Sequence, residues 1–553
     1  MMESDVKKQV RSRWARLKQE RSSWDSHWKE ISEYLLPRSG KFCAEKTNIG
    51  DKRHNSIYDS TGTKNLRILA AGMMSGMTSP ARPWFKLGVP DYELMKYAPV
   101  KVWLNDVTRL MLQIFHKSNT YRSLHTMYEE MGAFGTSASI ISHDFDNVIH
   151  LHPLTVGEYC IATDWKGEVV TLYREFQKTV AELVREFGMN AVSDGTRRLF
   201  ESGHLDEWVT IIHAIEPRDD RSLEQPNNQN MPWRSIYFEA NSNHGEVLRE
   251  SGFRRFPVLA PRWAVSGGDI YGHSPGMDAL GDLKQLQHEQ LRKAQGIDYQ
   301  TKPPMMAPSS MKNKQMNMLP GGVTYVDMVN GNVPVRPAFD ARIDLSHLLM
   351  DIQDVRGRIA SSFFADMFLM LANSTNPQMT ATEVAERHEE KLLMIGPVTE
   401  RIKNELLDPL IEITFDAIME AGILPPPPPE LEGHNLNIEL VGILAQAQRA
   451  VGVNSIDRFV SSIGGVAQIK GDVLDKFDAD KWVAIYADSL GVDPELVVPD
   501  EVVDAMRQQR AQQMQQQQEA AMMQQGADVA QTLSNTKTDE ANALTGMMQA
   551  LGM

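Results

Sequence analysis

Asp144, Asp146, His150 and His152 lie within nine positions and offer two carboxylates and two imidazoles, the donor types that hold a divalent cation. A metal-dependent nuclease is the chemistry that set could support. On a β-strand, however, these even-numbered positions share one face, so the spacing describes a solvated strand surface equally well, and that is the expected reading. The rest of the chemical inventory is negative. GxxxxGK[ST], GxGxxG, HExxH, GxSxG, CxxC and an EF-hand loop are all absent, which leaves no cradle for a nucleotide and no triad or zinc signature. Cys43 and Cys160 are the only cysteines, so no disulfide framework is expected and a reducing compartment fits best. No catalytic residue, metal or cofactor is assigned.

The elements around these residues are mostly helical. Val10, Trp14, Leu17, Trp24, Trp28, Ile31 and Leu35 recur in steps of three and four, with Arg21 interrupting, and Pro37 and Gly40 end the run. A stripe holding Trp14, Trp24 and Trp28 needs a large apolar partner, either the chain's own core or another subunit. Residues 59–87 read as a helix with close-packing Gly72 and Gly76, stopped by Pro80 and Pro83, and residues 99–134 as two more. Between about 138 and 260 the period changes to two, and Trp165-Lys166-Gly167 marks a hairpin between alternating runs.

From 271 to 303 a helix is bounded by Ser274 as cap and Pro275 in its first turn. Short β runs punctuated by Pro and Gly fill 303–340, too little for a core of their own. One long helix is expected over 343–371. The polar loop Asn373-Ser374-Thr375-Asn376-Pro377-Gln378 follows, and Thr380 with Glu383 has the capping-box spacing that opens a further helix to about 422. Pro425 to Pro429 form a polyproline spacer, and residues 508–525 hold 10 glutamines, as a polar helix or a disordered tail. The 31 methionines suit soft cores or surfaces that repack.

Across 553 residues, 57 basic and 72 acidic side chains give a net charge of −15. Residues 1–70 carry +6 and residues 381–553 carry −16. This sign is wrong for gripping nucleic acid by neutralising its phosphates, yet it suits a surface past which a polyanion slides. The opening MMESDVKKQVRSRW has charges where a secretory signal is apolar, and no apolar run is long enough for a bilayer span. The expectation is a protein neither secreted by that route nor embedded in a membrane.

Four stretches in order resemble the head-to-tail connector, or portal, proteins of short-tailed bacteriophages. They are DSTGTKNLRILAAGMMSGMTSPARPWFKL, HPLTVGEYCIATDWKGEVVTLYREF, FPVLAPRWAVSGGDIYGHSPGMDALGDLKQLQ and NPQMTATEVAERHEEKLLMIGPVTERIKNELLDPLI. The resemblance implies a mainly α subunit with a β-containing wing and a small β-rich clip, in a ring of generally twelve copies around a channel for double-stranded DNA. Carried over, 1–272 is the wing, 273–297 the first stem helix, 298–342 the clip, 343–371 the second stem helix and 372–380 the tunnel loop. Residues 381–423 become the long wing helix, 424–504 the crown and 505–553 a Gln-rich tail.

Implied partners are the homo-oligomer itself, double-stranded DNA, the major capsid protein, scaffolding protein, the terminase motor and tail adaptor proteins. The implied location is the head-tail vertex of the virion, after assembly in the host cytoplasm. Residues 373–378 become the candidate DNA-channel residues, Thr380 and Glu383 their helix cap, and the three tryptophans candidates for subunit packing. The competing readings are a non-conducting helical virion scaffold or adaptor, and the metal-dependent nuclease.

Overall fold

The computed structural model describes residues 5–41, 56–91, 94–95, 97–221, 227–242, 247–301, 305–306, 336–337, 346–372, 394–431, 436–442, 459–466, 470, 472, 476–490, 498, 502–517 and 522. The chain divides into two compact units, residues 1–448 and 449–553. Both are mainly helical among the described residues, and the first also carries antiparallel sheets.

Helix α1 (Asp5–Tyr34) serves two cores. Its first half sends Val10, Trp14 and Leu17 onto a cluster with Cys160, Tyr173, Ile212 and Phe238. Its second half sends Trp28, Ile31 and Leu35 into the main core, with Trp24 packed against it. The stripe predicted from spacing is real, and Arg21, which interrupts it, is buried too. Helices α2 (Thr61–Met77), α3 (Ala98–Lys117) and α4 (Thr120–Phe134) complete the helical layer.

The period-two region forms two sheets rather than one domain. Strands β2 (Ala138–Asp144), β3 (Val148–Leu154) and β9 (Val258–Leu259) make a three-stranded sheet in the order β3-β2-β9, joined to the main core. Strands β4 (Tyr159–Thr163), β5 (Val169–Thr179), β6 (Trp208–Pro217), β7 (Trp233–Glu239) and β8 (Arg249–Phe253) form an antiparallel sheet in sequence order. Trp165-Lys166-Gly167 links β4 to β5, with Gly167 at φ 83° and Asp164 Oδ1 accepting from the N–H groups of Lys166 and Glu168. Two short helices, α5 (Val180–Phe187) and α6 (Asp194–Glu201), interrupt the sheet. Sequence reading passed over them, although Thr179 and Glu182 form a full capping box and Ser193 caps the second.

β4 is an edge strand, and side chains occupy its open side. Arg21 donates to the Tyr159 carbonyl at 2.5 Å, and the Ile161 N–H donates to the Tyr271 hydroxyl at 3.2 Å. Farther along α1, Arg13 reaches the buried Glu216 on β6 at 2.7 Å, and Tyr173 donates to the same carboxylate at 2.5 Å. These contacts fix α1 across the sheet as well as on it.

Helix α7 (Pro275–Asp278) leads into α8 (Leu280–Thr301). Ser274 caps it as expected, its hydroxyl accepting from the Met277 N–H at 3.0 Å and donating to the Ala133 carbonyl at 2.8 Å. Its apolar side chains are buried only in the first half: Leu280, Leu283 and Leu286 are covered, while Ile297 is 41% exposed.

The expected single helix over 343–371 is broken into α9 (Ser346–Ser362) and α10 (Ala365–Ala372). Phe364 sits at φ 54°, a left-handed conformation that costs a bulky side chain about 1–3 kcal/mol. Packing holds it there: Phe363 is fully buried, Phe364 lies 6.1 Å from the Trp263 ring, and Phe368 reaches α2. A Cβ on Gly72 would come within 2.2 Å of the Phe368 ring. Gly72→Val is therefore expected to destabilise by about 1–3 kcal/mol in urea unfolding, and Phe368→Ala in the same chain to relieve part of that penalty.

Residues 394–402 are helical, Lys403–Leu407 form a π-turn, and α11 (Asp408–Glu420) continues. Pro409 has no N–H to continue the α ladder, and the wider turn just before it absorbs the mismatch. The polyproline segment folds back: Trp103 Nε1 donates to the Pro425 carbonyl at 3.0 Å. Strand β1 (Phe85–Gly88) then pairs with β10 (Asn437–Leu440), so the first unit continues past the prolines. In the second unit, Ala479–Leu490 and 502–517 are helical, and Arg507 pairs with Asp480 at 2.6 Å.

Candidate functional site

The most distinctive construction is the helical hairpin of α8 and α9 and the way it is anchored. Asp59, just ahead of α2, gathers four groups. Its Oδ1 accepts from the Thr61 N–H and hydroxyl, and its Oδ2 accepts from Gln290 Nε2 at 2.9 Å and Arg356 Nη2 at 2.6 Å. Gln287 Oε1 accepts from the backbone N–H groups of Tyr58 and Asp59 at 2.6 and 2.7 Å. One carboxylate thus ties the start of α2 to both long helices. Burial pushes its pKa upward, but the hydrogen bonds from Thr61 and Arg356 outweigh that and hold it below the usual carboxylate range. A second anchor runs between the helices, from Arg358 of α9 to Asp282 of α8 at 3.1 Å, and Asp354, one turn earlier on α9, steadies the same guanidinium at 2.6 Å.

The three candidate tryptophans are covered by their own chain. Trp14 lies 6.3 Å from the Tyr173 ring, and Trp28 meets Tyr271 edge-on at 5.0 Å and donates from Nε1 to the Phe134 carbonyl at 3.0 Å. Trp24 is partly buried beside both Trp28 and Tyr271. The loop candidates Asn373, Ser374, Thr375, Asn376, Pro377 and Gln378, with Thr380 and Glu383, lie outside the described residues.

The acidic and histidine cluster does not assemble a cation site. His150 and His152 neighbour each other on β3 and Asp144 ends β2, but Asp146 sits in the turn, off the face the spacing assigned to it. Asp144 is already engaged by the Asp146 N–H and the Asn147 amide. Desolvation, then the charges of His150, Arg174 and Lys178, push His152 down to about 4, and such cationic surroundings disfavour a divalent ion. Among the described residues, no group of three or more His, Cys, Asp or Glu is placed to hold a metal, and no helix is long and apolar enough to cross a membrane.

Residues 7–498 match the family model described as bacteriophage head to tail connecting protein. The chain belongs to that family. A probable portal protein of Bordetella phage BPP-1 is 60% identical over 550 residues, spanning 100% of this chain and 99% of that protein. The portal protein of Salmonella phage epsilon15 is 44% identical over 552 residues, spanning 100% and 99%. A chain from the neck of an empty gene transfer agent particle superposes with a TM-score of 0.37 at 11% identity, over 79% of this chain and 91% of that one.

The π-turn carries a further anchoring centre. Arg262, 3% exposed, reaches Glu405 with Nη2 at 2.6 Å and Nε at 3.2 Å, and its backbone N–H donates to the same carboxylate at 2.9 Å. Its Nη2 also donates to the Gly167 carbonyl at 2.7 Å, which pins the β4–β5 hairpin tip to the helix. Sequence reading found neither Asp59 nor Arg262. For Asp59 a signal existed, since Asp two positions before Thr61 is a helix-entry pattern. For Arg262 and Glu405, 143 positions apart, there was none.

Proposed function

We propose that the chain is the subunit of a portal ring at the head-tail vertex, through which double-stranded DNA enters and leaves the phage head. The full-length identity to two phage portal proteins carries this reading. The hairpin of α8 and α9 supplies the stem, residues 298–342 the clip and 372–380 the tunnel loop. Residues 1–272 with 381–423 form the wing, 424–504 the crown and 505–553 a solvated tail. About twelve subunits close the ring, as in portal assemblies generally.

The ring does no catalysis. Its sequence has no phosphate-binding loop, so a separate terminase motor hydrolyses the nucleotide, and the ring is the platform for that motor and later for tail adaptor proteins. The major capsid and scaffolding proteins surround it, and assembly takes place in the host cytoplasm before the particle matures. The net charge of −15 keeps phosphates from sticking to the passage. Trp14, Trp24 and Trp28 serve assembly by fixing α1 to its own subunit.

Negative-stain images of the purified protein test this directly: a ring with an axial hole is expected, and a solid or open particle would favour the non-conducting scaffold. The passage itself is tested by Asn373→Lys with Asn376→Lys. Around twelve subunits this adds on the order of 24 positive charges, enough to slow DNA through phosphate pairing. Rings should still form, while packaging or ejection fails and higher salt partly restores it. Wild-type rates in low salt would remove 373–378 from the DNA path.

A further inference from the structure

The two anchors of the hairpin set its register, and the register has a consequence two turns farther along. α8 and α9 run antiparallel, with Arg358 on Asp282. Glu289 stands seven positions after Asp282, and Asp351 seven before Arg358, so the two carboxyls face each other across the helix pair. Glu289 is 7% exposed, whereas Asp351 opposite it is open to solvent. Its Oε1 accepts from Gln285 Nε2 at 2.6 Å, while its buried Oε2 meets no N–H or O–H donor and has the Asp351 carboxyl as neighbour.

The surrounding cations have other hydrogen-bond partners, although the charge of Arg358 still acts on Glu289 and favours its ionised form. On α9, Arg358 is held by Asp282 and Asp354, and Arg356 by Asp59. On α8, Lys284 pairs with Glu30 of α1, and Arg292 contacts His288. His347 on α9 and Lys293, Asp298 and Tyr299 on α8 complete the titratable groups along the pair. A buried carboxylate oxygen opposite a second carboxylate, with no donor, is the arrangement that a single shared proton satisfies.

We propose that Glu289 and Asp351 share one proton, and that this proton latches the two long helices together. With it in place, one carboxyl donates to the other. Without it, two negative charges oppose each other across the interface and the hairpin loosens. Burial is the main cause that pushes the Glu289 carboxyl upward, and the Asp351 charge adds to it. A carboxyl raised in the folded state stabilises that state below its unfolded pKa, and the contribution is lost as pH rises through the folded value. The latch therefore closes in acid and opens toward alkaline pH. It stands independently of the portal reading, because it needs only the hairpin.

Hydrogen exchange on the full chain, corrected for the intrinsic effect of pH, tests it over 280–301 and 346–362. Wild-type amides there should exchange about tenfold more slowly at ~pH 5 than at ~pH 8. Glu289→Gln, whose amide donates to Asp351 at every pH, should abolish the difference and stay protected at both. Asp351→Asn should do the same from the other helix. A pH difference that survives in both variants, or is missing from the wild type, overturns the proposal. So does protection at ~pH 8 that added magnesium restores, since the pair would then be a cation site.

Discussion

Trp28→Ala is expected to cost about 3–5 kcal/mol, a large share of the about 5–15 kcal/mol that holds a typical protein folded. The indole is fully buried, meets Tyr271 edge-on and donates to the Phe134 carbonyl, so truncation opens a cavity and strips a buried acceptor of its donor. Adding Trp24→Ala removes the ring beside it and should deepen the loss, though less than additively because the two indoles share Tyr271. Urea midpoints measure the cost, and sedimentation follows assembly in the double variant. The matched control is Trp165→Ala at a hairpin tip, where the ring is 89% exposed and the expected change is within about 0.5 kcal/mol. Equal midpoints for wild type and Trp28→Ala would mean that α1 does not dock as described.

Arg262→Ala is expected to cost about 3–5 kcal/mol for a different reason. The guanidinium holds the Glu405 carboxylate, the Gly167 carbonyl and, at 3.3 Å, the Ile270 carbonyl, and its loss leaves the largely buried Glu405 with the longer 3.4 Å pair to the half-exposed Arg401 as its counter-charge. Replacing both partners by methionine should recover a good part of the stability, because no buried charge is then left alone. Recovery will be incomplete, since the Arg262 backbone N–H also gives up its acceptor. Thermal unfolding of the two variants decides it. A single variant within about 1 kcal/mol of wild type would show that the pair is solvated.

Local patterns carried most of the fold. The three-and-four spacing of Val10 to Leu35 marked α1, Ser274 with Pro275 marked the entry to α7, and Trp165-Lys166-Gly167 marked a turn, because each is settled by neighbours within a few residues. What stayed hidden depends on partners far away in the chain. The break at Phe364 has no glycine or proline to announce it and is held by Trp263 and by the fit of Phe368 against Gly72. Asp59 and Gln287 are 228 positions apart, and no periodicity connects them. The strand parity that placed Asp146 beside Asp144 failed because the hairpin turns at 145–147, which puts Asp146 in the middle of the turn. The capping box at Thr179 and Glu182 was legible and was missed inside a stretch of alternating residues.

The side chains along β4 bear on how copies of this chain avoid one another. An edge strand exposes main-chain donors and acceptors that any extended segment can match, and crowding many identical subunits into one particle raises the chance of such a match. Here the acceptor on Tyr159 is taken by Arg21, and the donor on Ile161 by Tyr271. Both plugs come from within the subunit, one from α1 and one from the turn before α7. A nascent chain lacking a docked α1 would offer that edge to its neighbours as a template for cross-strand aggregation. Docking of the first helix thus removes one of the main-chain acceptors through which that edge could pair with a neighbour.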